Sequence, residues 1–173
     1  MSTLLISAMI IAGTIAIFVF IIAVNKKSNR KRTKTLIDTF SLAGAVRGLN
    51  FSSQEVLRNK IIGLDGLQQQ LLVFDFSETH IFISLPLTEV KDCIVKKEFD
   101  TVDYGNAKNP STEQELRFVS IQFTFKKRSD NFSLTFYDSK INSIYEMKEL
   151  EAKARDWQLL LTKMIAKDVE VRA

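Results

Sequence analysis

Residues 115–138 read ELRFVSIQFTFKKRSDNFSLTFYD, and this stretch decides the fold class. Val119, Ile121, Phe123 and Phe125 alternate with Ser120, Gln122 and Thr124, the period of two that a half-buried strand requires. Arg128, Ser129, Asp130 and Asn131 supply turn chemistry. Phe132, Leu134 and Phe136 then resume the alternation, so the pair reads as an antiparallel hairpin with its apolar residues inward.

Toward the N-terminus the same period continues. NKIIGLD at 59–65 reads as a strand closed by an Asp65-Gly66 turn, and QQQLLVFDFS at 68–77 as the next, with Leu72, Phe74 and Phe76 on one face. ETHIFISLPL at 78–87 alternates through Ile81, Ile83 and Leu85, and Pro86 ends that strand or marks a sheet edge. VKDCIVKKEF at 90–99 is a further strand, whose Lys91, Lys96 and Lys97 are charges that keep an edge from aggregating. TVDYGNAKNPST at 101–112 has no periodic apolar pattern, so the segment from Asp100 to Thr112 is expected as the longest loop.

Downstream of the hairpin the period changes to 3.6. Met147, Leu150, Ala154, Trp157, Leu161 and Met164 step by three and four, which predicts an amphipathic helix from about Ser143 to Lys167 with one face buried. These are core positions; the same stepping would also serve a short coiled-coil seam between two copies, although it runs for only about two and a half heptads.

Upstream of the strands, Leu36, Ile37, Phe40 and Ala43 have helical spacing and Gly48 is a helix stop. Ser52 and Glu55 stand at capping-box spacing between Phe51 and Val56, which predicts a second short helix ending by Asn59. Residues 26–59 are therefore expected as a basic juxtamembrane and helical connector.

The N-terminus assigns the protein a place. The run from Leu4 to Val24 holds 21 residues without a charge and passes into NKKSNRKRTK at 25–34. At 1.5 Å per helical residue the run spans about 31 Å, the thickness of a hydrocarbon core. A cleaved secretory signal would need positive charge ahead of a shorter apolar core, and only MST precedes this one. The run is expected to be an uncleaved transmembrane helix. Lys26, Lys27, Arg30, Lys31, Arg32 and Lys34 follow it, which orients the N-terminus outside and the rest of the chain in the cytoplasm, at the plasma membrane. The same six cations are positioned to meet anionic headgroups. Ala8, Ala12 and Ala16 recur at four-residue spacing, a small-residue face through which two anchors would associate into a homo-oligomer.

Charge separates the halves. Residues 1–37 carry +6 and the remainder −2, so the net charge of +4 belongs to the anchor. A nucleic-acid-binding domain would carry its positive charge on the folded part, and this reading is set aside. The single Cys93 excludes an intramolecular disulfide, and a lone His80 distant in sequence does not make a nucleophile pair with it. The chain holds no glycine-rich phosphate loop, no H-E-x-x-H and no calcium-loop spacing. Asp75, Asp92 and Asp138 are acidic without a motif around them. We expect a non-catalytic protein with no catalytic, cofactor or metal residues.

These elements give an α+β chain: a transmembrane helix at 1–25, the connector at 26–59, then an antiparallel sandwich or partly open barrel of six to seven strands closed by the amphipathic helix over 60–168, and a tail at 169–173. IIGLDGLQQQLLVFDF at 61–76, ISLPLTEVKDCIVKK at 83–97 and EAKARDWQLLLTKMI at 151–165, in this order, resemble a bacterial pleckstrin-homology-like (PH-like) domain. The resemblance implies that the closing helix plugs the open end of the sandwich with Trp157. It does not bring the family's phosphate grip, because the first hairpin reads Gly66-Leu67-Gln68-Gln69-Gln70 and lacks the clustered cations. Lys126, Lys127 and Arg128, at the later hairpin, read as a solvated tip, with contact to the membrane surface near the anchor as the alternative. The expected function is a membrane-anchored module presenting a sheet edge or groove to a protein partner. A self-associating scaffold and an anionic-lipid sensor are the alternatives.

Overall fold

The computed structural model describes residues 33–77, 80–104 and 111–171. The expected transmembrane run at 4–24 lies outside them, and among the described residues no helix is long and apolar enough to cross a membrane. The chain divides after Arg47 into two compact units.

In the first unit, a helix (α1) occupies 33–46. Gly48, at φ +70°, stands just past its end in the left-handed region that favours glycine. Arg47 Nη1 donates to Ala43 O at 2.8 Å, satisfying one carbonyl of the last turn.

The second unit is α+β, built from two antiparallel sheets and a C-terminal helix. β1 (Ser53–Val56), β2 (Lys60–Asp65), β3 (Gln70–Asp75) and β4 (Ile81–Pro86) form a four-stranded meander. A 3-10 turn, Leu87–Glu89, leads into β5 (Val90–Tyr104), β6 (Ser111–Phe125) and β7 (Asn131–Asp138), a three-stranded meander. No strand of one sheet pairs with the other among the described residues, so the strands form two antiparallel sheets of four and three and no closed barrel. A second 3-10 turn, Ile144–Glu146, opens α2 (Met147–Val171) through a capping box between Ser143 and Glu146.

One core joins these layers. Ile62, Leu64, Leu71 and Val73 from the first sheet meet Cys93, Val119, Ile121 and Phe123 from the second. Leu150, Ala154, Trp157, Leu161 and Ile165 of α2 belong to the same cluster, and Met147 and Met164 pack partly buried against it. In β7 both Phe136 and Tyr137 are buried. The cause is a bulge: Val119 pairs with Tyr137 and Ser120 with Thr135, leaving Phe136 as the extra residue that breaks the alternation.

Three expectations need correction. The helix expected at 52–59 is strand β1, paired from Ser53↔Leu64 to Val56↔Ile61. The Ser52 hydroxyl, instead of capping a helix, donates to Leu64 O at 3.1 Å, because pairing with β2 satisfies this backbone more completely than a single helical turn. The loop expected at 100–112 is largely ladder: Asp100 pairs with Glu115 and Tyr104 with Ser111. Here β6 pairs with β5 alone, because β7 pairs with β6 only from Phe118 to Thr124. In β3 the core residues are Leu71 and Val73, whereas Leu72 and Phe74 lie on the opposite face and are also buried. Burial on both faces removes the polar partner that alternation needs.

Candidate interaction surface

β5 lies at the border of its sheet. It pairs with β6 along one side, and its other side is unpaired among the described residues. The strand forms here because Cys93 and Val95 face the core, while Ile94 on the outer face is 48 % exposed. Phe99, farther along, is 53 % exposed. α2 flanks this strand and fixes it at two points. Gln158 Nε2 donates to Cys93 O at 3.3 Å, and Lys97 Nζ meets Glu151 Oε1 at 2.8 Å. Lys97, then Arg155, hold the Glu151 carboxyl below its ordinary range. The Cys93 thiol sits beneath α2, 3.6 Å from the Thr162 hydroxyl, and burial pushes its pKa up. A protonated, buried thiol is a packing group.

A second feature lies where the strand connections meet. A groove of about 370 Å³ is lined by Thr88, Glu89, Phe125, Lys126, Lys127 and Arg128. Lys126 Nζ donates to Thr88 O at 2.8 Å, and Arg128 stacks over the Phe125 ring at 4.0 Å while reaching Glu89 Oε2 at 3.5 Å. The hairpin tip is solvent-exposed, as expected, and its Arg128 reaches two carboxylates, Glu89 and, at 4.0 Å, Asp130.

The third feature is Asp65, buried with 1 % exposure. Its carboxylate accepts N–H groups from Leu67 and Gln68 at 2.9 Å each and from Asn50 at 2.7 Å. Donation from Gln68 and Asn50 is what lowers its pKa, against the opposing effect of burial. One side chain therefore shapes the β2–β3 turn and fastens the residues that lead into β1.

Of the residues singled out from sequence, Lys26, Lys27, Arg30, Lys31 and Arg32 lie outside the described residues, as do Ala8, Ala12 and Ala16. Lys34 is exposed on α1. Leu150, Trp157 and Leu161 are buried in the core. Asp75 pairs with Lys60 at 3.6 Å, Asp92 accepts the Cys93 N–H at 2.8 Å, and Asp138 accepts the Lys140 N–H at 2.9 Å, so each has a local structural duty. Sequence reasoning missed the groove. Its signal was the triplet Lys126-Lys127-Arg128 directly after Phe125, but the Thr88 and Glu89 that complete it are distant in the chain. No family model, no curated protein and no solved structure matches this chain.

Proposed function

We propose that this protein is a single-pass, membrane-anchored binding module whose cytoplasmic domain, PH-like in plan, presents the free edge of β5 to a polypeptide partner without catalysing a reaction. The observation that carries this reading is the side of β5 that pairs with no strand among the described residues, beyond Cys93, whose N–H and C=O are taken by Asp92 and Gln158. Two exposed apolar residues, Ile94 and Phe99, lie along it. An extended peptide adds to such an edge through main-chain hydrogen bonds, and neighbouring side chains supply the selectivity. Four strands, then three, then a helix carrying a buried tryptophan support the PH-like plan. The apolar run at 4–24 and the cations behind it support the anchor.

The test uses the full chain in its native membrane with a photoreactive residue at Ile94 or Phe99. The expected result is one heterologous crosslink from either position that survives replacement of residues 1–34 by an unrelated anchor and is lost when the other of the two positions is changed to glutamate. Self-crosslinks that vanish with the anchor swap would instead make the protein a scaffold assembled through its transmembrane helix.

A further inference from the structure

We infer that one end of the strand domain is built to lie on an anionic bilayer, with Lys127 and Arg128 against headgroups and Leu67 at the apolar boundary. This rests on the reading of residues 4–24 as an anchor.

Backbone hydrogen bonds bring three connections to that end. Leu87 N donates to Gln69 O at 2.8 Å, joining the β2–β3 turn to the β4–β5 connection, and Lys126 N donates to Glu89 O at 2.9 Å, joining that connection to the β6–β7 hairpin. The chain also joins the domain there. Gln68 Nε2 donates to Gly48 O at 2.6 Å, and Asn50 N donates to Asp65 Oδ2 at 2.7 Å. Whatever tethers the N-terminal side of residue 48 therefore pulls on this end. The opposite end is tied by different residues, with Phe76 N donating to Asn59 O at 3.0 Å and Asn142 N to Asp138 O at 2.8 Å.

The chemistry of the tethered end suits a lipid surface. Leu67, at the tip of the β2–β3 turn, is 93 % exposed. Nearby, Lys126, Lys127 and Arg128 stand against two carboxylates, Glu89 and Asp130, which leaves this end a small positive excess. Lys126 and Arg128 are ordered by Thr88, Phe125 and Glu89, so little freedom is lost when a headgroup arrives, and Lys127 is exposed. An apolar tip beside a few cations is the composition of an interfacial contact. So few charges would not retain a detached domain, but a tether supplies an effective concentration of about millimolar, at which a weak contact is populated. The anchor and this face thus act together, and the free edge of β5 is held in a defined orientation above the membrane.

The full-length protein is reconstituted in nanodiscs of phosphatidylcholine, alone or with added phosphatidylglycerol. An environment-sensitive fluorophore is placed at Leu67→Cys or, at the opposite end, at Lys140→Cys; buried Cys93 does not compete for label. The expected result is a blue shift and headgroup-quencher accessibility at position 67 in anionic discs only, none at position 140, and loss of the response by at least about twofold in Lys127→Glu or high salt. Equal responses at both positions, or none at 67 while the protein stays in the disc, overturn the inference and leave the anchor reading standing. Protein that fails to enter discs overturns both. A probe silent in purified discs but protected in native membranes assigns the cations to an acidic protein and also overturns it.

Discussion

Asp65 shows how much one side chain can organise when its partners are backbone. Replacing it by alanine leaves three N–H groups without their acceptor and should cost about 2 kcal/mol, read by urea unfolding. Asp65→Asn should recover part of that loss, since an amide oxygen still accepts from one or two of them. Trp157 is the complementary case, apolar and central. Trp157→Ala should cost about 3–5 kcal/mol, and the emission of this single tryptophan should shift to the red when the wild-type chain unfolds. Its role was legible from the stepping of Leu150, Ala154, Trp157 and Leu161, because burial on one helix face leaves a periodic trace. Asp65 was legible only as a turn residue. Its tie to Asn50 spans fifteen positions and depends on how β1 returns beside β2.

Elements declared themselves in proportion to how one-sided their burial is. β6, β7 and α2 each have one apolar face, and the sequence reports all three. β1 is four residues long and reads as a capping box, because a Ser and a Glu three apart arise as readily in a strand whose side chains face partly outward. Lys153 of α2 tethers this strand by reaching Glu55 at 3.2 Å, a contact no local pattern announces. The end of α1 offers a test of conformation alone. Gly48 has φ +70° and nothing within 4 Å of where a Cβ would sit, so Gly48→Ala should cost about 1 kcal/mol through backbone strain, and Gly48→Asn less. Thermal unfolding of the two variants side by side would check the order.

For the whole molecule, acidity is the revealing variable. Asp65, Asp75 and Glu151 have lowered pKa values in the folded state. Depressed carboxylates contribute stability that is fully present above their unfolded range, near pH 4, and lost as pH falls through the folded values. Chemical-denaturant midpoints should therefore hold level from neutrality to about pH 5 and fall below pH 4, with a shallower fall in Asp65→Asn. The proposed membrane-facing end belongs to this scale too, since it is assembled from connections between six strands and no single segment encodes it. The β5–β6 ribbon is also such a feature. Its last six pairs, Phe99↔Leu116 to Tyr104↔Ser111, run beyond Asp138, where β7 ends its pairing with Phe118. A third strand thus fastens only part of its length, and the ribbon should behave as a zipper with a stop. Amide hydrogens from Phe99 to Tyr104 should exchange with solvent far sooner than those of Val95 or Ile121, so the ribbon can open outward from its tip and trade strands while the body stays folded.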